Sequence, residues 1–307
     1  MLQEHQAVPQ AAGVSTPATD ISFSRIMVAT DFSPASDRAL EFAASIARRF
    51  GSKIYLTHIV NVDGYPMVAP EIALDSLEKL RSEAAAKLAR IVESGHLYGV
   101  ARETIIGEGT LWATIQVLVE NHKIDLLVLG THGSSGIKKL VIGSGAEQVF
   151  RQARIPVLTV GPHVIGEPLY EAEFKNILFA TDFGPGVDRE AAYAFTLAEE
   201  HRARITLLNV VRYVEEYSEE AVTRKRDWVT RQLQELVPAK ANLTCKPEFL
   251  MVIGEPVDEI LRWAEKTHAD LIVMGAKPRK GLAGHTPHTK AYRVVSGAKC
   301  PVLTIKS

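Results

Sequence analysis

The chain has 307 residues, 46% hydrophobic and 23% charged, with a mean hydropathy of +0.02. That balance belongs to folded globular domains rather than disordered or fibrous chains, and at about 150 residues per domain the length predicts two. A formal net charge of −1 and a pI near 6.8 exclude the basic footprint of phosphate-backbone binders, so no nucleic-acid partner is expected.

Residues 1–21 lack the cationic start and apolar run of a signal peptide and read as a disordered tail. Alternating apolar runs and helical patterns follow, the signature of βαβ units around a parallel sheet. The strands are predicted at Ile26 to Ala29, Ile54 to Val60, Ala101 to Ile106, Leu126 to Gly130 and Val157 to Val160. They are almost continuously apolar, as a sheet covered on both faces requires. Between them lie helices over Ala35 to Phe50, a long stretch carrying Leu77, Leu80, Ala84, Leu88 and Ile91, then Leu111 to His122, and Ser144 to Ala153 with Ser144 as N-cap. This first domain is set at residues 22–161, a Gly/Pro/Glu-rich linker at 162–173 and a second domain at 174–307.

The second domain repeats the first. Ile26-Met-Val-Ala-Thr-Asp-Phe32 returns as Ile177-Leu-Phe-Ala-Thr-Asp-Phe183, Ile124 to Gly130 returns as Ala269 to Gly275, and Ile155 to Val160 as Cys300 to Ile305. The offset drifts from 151 to 145, so the second copy is six residues shorter, a difference loops absorb. The two cysteines, Cys245 and Cys300, both lie in this copy, exclude a disulfide framework and a four-thiolate metal centre, and fit a reducing cytoplasm. Cys300 replaces Ile155 and is expected to be a small buried apolar side chain. No run approaches the roughly 18 apolar residues of a membrane helix, so no membrane association is expected.

The chemistry concentrates after the fourth strand. Gly130-Thr-His132-Gly133 is followed nine residues later by Gly143-Ser144-Gly145, which opens a helix. Ligands of open α/β sheets bind beyond the carboxyl ends of the strands, where a helix start offers N–H groups to an anion. Glycines there let main chain approach a ribose or phosphate, and Asp31, just past the first strand, is placed to accept hydrogen bonds from a sugar or base edge. His132 either touches phosphate or points to solvent, and Lys138 and Lys139 either attract phosphate or are ordinary surface charge.

This Gly130-x2-Gly133-x9-Gly143-Ser144 spacing, together with Ala29-Thr30-Asp31, resembles the universal stress protein (UspA) family in its ATP-binding branch, over about residues 22–306 and in both halves. The resemblance implies two tandem Rossmann-like (adenine nucleotide alpha hydrolase-like) domains, each a five-stranded parallel sheet with helices on both faces. It implies ATP or a related adenine nucleotide as ligand, with Mg2+ or Mn2+. Thr30, Asp31 and the main chain at Ile59 would meet the adenine and ribose, Gly130 and Gly133 the ribose and first phosphates, and Gly143 and Ser144 the outer phosphates. Gly145 departs from the Val common at its place. No side chain is assigned to the metal. Family members commonly pair their last strands, which implies an intramolecular pseudo-dimer through Val157 to Val160 and Val302 to Ile305, and leaves a homodimer of chains open.

In the second copy Gly275 aligns with Gly130, Pro278 with Gly133, His288 with Gly143 and Thr289 with Ser144. Proline removes an N–H and histidine adds bulk, so this copy is expected to bind ATP weakly or not at all. Asp182 reads as a capping or turn residue, Glu108 and Glu255 as helix caps, and His285 and His288 as loop residues without a third metal ligand. Trp112, Trp228 and Trp263 are expected to pack helix onto sheet. Three function classes follow: a nucleotide-responsive stress or signalling protein that acts on a protein partner, a slow ATP-hydrolysing enzyme, or an interaction module without nucleotide. The first is preferred, because no GxxxxGK[S/T] loop and no paired nucleophile and base are present.

Overall fold

The computed structural model describes residues 21, 23–61, 70–131, 149, 152–164, 173–212, 218–276 and 289–306. In the first copy strands β1 (Arg25–Ala29), β2 (Lys53–Val60), β3 (Ala101–Glu108), β4 (Leu126–Gly130) and β5 (Val157–Val160) alternate with helices α1 (Pro34–Phe50), α2 (Pro70–Glu93) and α3 (Leu111–His122). The second copy contains β6 (Asn176–Ala180), α4 (Val187–Glu200), β7 (Arg204–Val211), α5 (Glu219–Glu235), β8 (Glu248–Ile253), α6 (Pro256–Lys266), β9 (Leu271–Ala276), α7 (Lys290–Gly297) and β10 (Val302–Lys306). All ten strands form one sheet in the order β3-β2-β1-β4-β5-β10-β9-β6-β7-β8. Within each copy the pairings are parallel, and the copies meet where β5 and β10 run antiparallel with Leu158 opposite Leu303. The pairing that the resemblance implied for Val157 to Val160 is therefore present inside one chain, and it covers two edges that would otherwise present unpaired peptide groups.

The strands are apolar throughout because both faces of the sheet are covered. Ile26, Val28, Leu126, Val128 and Leu158 face one core, shared with α1, α2, α4 and α5. Met27, Leu127, Leu129 and Val157 face the other, shared with α3, α6 and α7. Successive residues on a strand point to opposite faces, so neither core shows up as an alternating pattern. Helix α1 starts cleanly: the Ser33 hydroxyl accepts the Ser36 N–H, Pro34 occupies the first turn, and Gly51 ends the helix in the left-handed region at φ 64°. On α2, Ala84 and Leu88 are buried, but Leu80 is 36% exposed, so the apolar stripe read from the sequence is one position too wide.

A second feature is duplicated. The Asp125 carboxylate, just before β4, accepts the N–H groups of Ser24 (2.8 Å) and Arg25 (3.0 Å) at the start of β1. Asp270 does the same before β9 for Lys175 (2.9 Å) and Asn176 (3.0 Å). Burial pushes the Asp125 carboxyl above the ordinary carboxylate range, against the pull of those backbone N–H groups and of Arg25. Asp125→Ala leaves both N–H groups without their acceptor and is expected to lower stability by about 1–3 kcal/mol, read by denaturant unfolding. An unchanged midpoint would show that water replaces the carboxylate without cost.

Candidate functional site

The carboxyl ends of β1, β2 and β4 converge on the mouth of the first copy. The Thr30 N–H donates to the Thr57 carbonyl (2.8 Å), which closes the β1–β2 ladder. Peptide groups of alternate residues on a strand point the same way, so Ile59, two residues beyond Thr57, turns its N–H and C=O past the end of β1 towards the mouth. Thr30 is buried; its hydroxyl accepts the Phe32 N–H (3.0 Å) and shares a hydrogen bond with Ser36 (3.0 Å). Asp31 accepts the Ser33 N–H on Oδ1 (3.0 Å), and Oδ2 has no hydrogen-bond partner among the described residues. Burial raises the nearby Asp37 carboxyl above its ordinary range; His96 opposes this and the Asp31 charge adds to it.

The chain is forced sharply around this corner. Phe32 adopts the left-handed region at φ 64°, uncommon for a bulky residue, and its ring lies 4.4 Å from that of His58 with Lys87 Nζ 5.0 Å above it. His58 Nδ1 donates to the Thr30 carbonyl at 2.8 Å. The second copy reproduces the corner: Phe183 has φ 54°, and Asn209, in the place of His58, donates to the Thr181 carbonyl at 2.9 Å.

Gly130 sits at the end of β4, but its missing side chain serves the protein first. A Cβ there would lie 2.5 Å from the Ala35 carbonyl carbon and 2.7 Å from the Ser36 nitrogen, so the glycine lets α1 begin directly against β4. Its expected contact with a ribose belongs to a proposal, whereas its packing role is in the fold. Thr30, Asp31, Ile59 and Gly130 are thus brought together at one mouth, while His132, Gly133, Gly143, Ser144 and Gly145 lie outside the described residues, as do Pro278 and His288.

In the second copy the space beside the equivalent glycine holds a side chain instead of main chain. A Cβ on Gly275 would meet the Glu190 carboxylate, and Glu190 is buried (4% exposed) in the first turn of α4. The first copy has Ala39 at that place. Sequence reading missed this residue, although comparing the two repeats position by position shows a carboxylate replacing alanine. Thr289, in the place of Ser144, uses its hydroxyl to accept the Tyr292 N–H (3.2 Å), and Lys290 Nζ lies 4.0 Å from Asp182. Asp182 therefore faces a lysine at the start of α7, beyond the capping or turn role read from the sequence.

Other expectations are corrected or borne out by their surroundings. Glu108 caps no helix: it ends β3 and pairs with Arg81 of α2. Glu255 is the N-cap residue of α6, but its side chain makes no capping bond and lies 3.8 Å from Arg212. Trp112 and Trp263 pack against the core, whereas Trp228 is 41% exposed beside Phe183, with Lys225 4.4 Å above its ring. Cys300 is buried, burial pushes its thiol up to about 12, and neither cysteine forms a disulfide. No group of three or more His, Cys, Asp or Glu side chains suited to a metal occurs among the described residues, and no helix among them is long and apolar enough to cross a membrane.

A Rossmann-like sheet in duplicate, with mouths at the strand ends, defines a class of nucleotide-site folds, and the comparisons with known proteins narrow it. The universal stress protein family model matches residues 22–161 and again 173–306, so the chain belongs to the universal stress protein family. A universal stress protein of Methanocaldococcus jannaschii is 31% identical over 139 residues, which are 45% of this chain and 82% of the relative. One from Thermus aquaticus is 31% identical over 140 residues, 43% of this chain and 99% of the relative. Among solved structures, a universal stress protein from Archaeoglobus fulgidus covers 93% of this chain and 99% of its own with a TM-score of 0.69, at 18% identity. That likeness shows the tandem fold.

Proposed function

We propose that this protein is a nucleotide-responsive stress or signalling protein that holds ATP, with Mg2+ or Mn2+, in its first copy alone. The observation that carries the reading is the convergence, past the end of β1, of the Ile59 peptide groups and the Asp31 carboxylate on the point where Gly130 leads into the glycine loop. A purine edge and a ribose present donors and acceptors that suit an exposed peptide N–H and C=O and a carboxylate oxygen. Gly133, Gly143, Ser144 and Gly145 would supply main-chain N–H groups and a hydroxyl to the phosphates, and His132 lies among them. In the second copy Pro278 and His288 stand where the first has Gly133 and Gly143, which leaves fewer main-chain N–H groups and less room for a phosphate.

Calorimetric titration of the purified, nucleotide-stripped chain with Mg·ATP is expected to give one site per chain. Replacing Gly133 or Gly143 by valine is expected to weaken binding at least tenfold while the unfolding transition stays in place. Two equivalent sites per chain, or binding untouched by both replacements, would overturn the reading. Acid extraction of the protein as purified separates the classes: ATP released intact supports a binding protein, steady ADP production with Mg2+ an enzyme, and an empty extract together with silent calorimetry an interaction module.

A further inference from the structure

The two copies meet along the helical face of the sheet through two aromatic triads related by the repeat. In one, Phe23 lies edge-on to Phe50 (5.0 Å) and 5.7 Å from Tyr193. In the other, Phe174 stacks on Phe42 (6.0 Å, interplanar angle 1°) and lies 4.7 Å from the ring of His201. Phe23 corresponds to Phe174, Phe42 to Tyr193 and Phe50 to His201. One triad is therefore wholly aromatic, and its twin carries an imidazole in the place of a phenyl ring.

That imidazole is poorly served. His201 is 6% exposed; Nδ1 accepts the Phe174 N–H at 3.4 Å, and Nε2 is buried with no hydrogen-bond partner among the described residues. Nδ1 is an acceptor, so the neutral ring keeps its proton on Nε2. A second proton has to go to Nδ1, which turns that nitrogen into a donor facing another donor, the Phe174 N–H. The charged groups around it offer no relief. From α1, the Arg49 guanidinium donates to the Glu200 carbonyl (2.9 Å) and to Glu173 (3.2 Å), and Glu173 also lies 3.7 Å from Lys175. The Glu173 carboxylate is thus held by cations, and the Glu200 side chain is exposed.

We propose that His201 makes the seam between the two copies an acid-sensitive latch: protonation at Nδ1 expels the ring from beside Phe174 and loosens this triad while its Phe50 twin holds. Burial first, and then the Arg49 charge, hold the ring at about 4 against an ordinary value of 6.5. The sign follows. The unfolded chain takes up this proton near pH 6.5 and the folded chain only near pH 4, so the stabilisation is complete above pH 6.5 and is lost as the pH falls towards 4. The latch acts on the junction of the copies and does not depend on any nucleotide.

The test uses the full chain and the variant His201→Phe, which installs the residue the twin already carries. Below pH 6.5 the unfolding constant of the native chain is expected to rise, relative to the variant at the same pH, by up to about tenfold per pH unit, as linkage of one proton requires. The protection factor of the Phe174 amide, its observed exchange rate set against the intrinsic rate at the same pH, should fall over the same range in the native chain only. Superimposable pH curves for the two proteins would overturn the latch. Should His201→Phe fail to fold, the native chain decides by NMR, with His201→Gln used to assign the ring signal. Protonation below pH 5 with a falling Phe174 protection factor supports the latch; protonation near pH 6.5, or with an unchanged protection factor, overturns it.

Discussion

Gly130→Ala is expected to destabilise the protein by about 2–3 kcal/mol, although it adds a single methyl group. The atoms that the new Cβ would meet, at 2.5 to 2.7 Å, are all main chain of Ala35 and Ser36. Main chain in the first turn of a capped helix cannot swing aside as a side chain can; α1 has to lift from β4 and strain the contacts of Ala39, Leu40 and Ala43 with the sheet. Gly275→Ala is the internal control. There the new methyl meets the Glu190 carboxylate, the far end of a three-torsion side chain, and the cost is expected to stay below about 1.5 kcal/mol. Denaturant unfolding of the two variants checks the difference. Equal losses would mean that the close approach of α1 to β4 is not what the glycine serves, and its role at the mouth would have to be judged on ligand binding alone.

Phe174→Ala is expected to cost about 3–5 kcal/mol, among the larger effects a single replacement can have here. The ring is fully buried, stacks on Phe42 across the seam and covers His201, so its removal opens a cavity bounded by both copies. Phe23→Ala removes the twin and is expected to cost a similar amount, since Phe50 and Tyr193 surround it in the same way. The two losses test whether the copies unfold together. A single transition shifted by either replacement fits one cooperative unit; a split into two transitions would show that each half retains stability of its own.

Much of this architecture is legible in the residues. The repeat is carried by Ala29-Thr30-Asp31-Phe32 and Ala180-Thr181-Asp182-Phe183, whose hydroxyl and amide contacts turn the chain identically in both copies. Strand identity follows from apolar runs too short for helices, and Leu111–His122 is bounded as the pattern indicates. Other features are invisible in a one-dimensional reading because tertiary neighbours decide them. A glycine after a strand looks the same whether a ligand or Ala35 occupies the space beside it. The exposure of Leu80 and Trp228 depends on where α2 and α5 lean on the sheet, which helical periodicity does not specify. His201 stands out among ten histidines only when it is set opposite Phe50. Within the candidate site, Thr30, Asp31 and Ile59 are placed by strand geometry, whereas the residues from His132 to Gly145 lie outside the described part of the chain.

The antiparallel junction of β5 and β10 sets the two mouths on opposite sides of the sheet. Strands of the two copies run in opposite senses across it, so their carboxyl ends emerge on opposite rims of the sheet. A molecule at the amino-terminal mouth and one at the carboxyl-terminal mouth would look away from each other. Helix α1 spans the scaffold between the rims: it begins against Gly130 beside one rim and ends at Arg49, bonded to the last turn of α4.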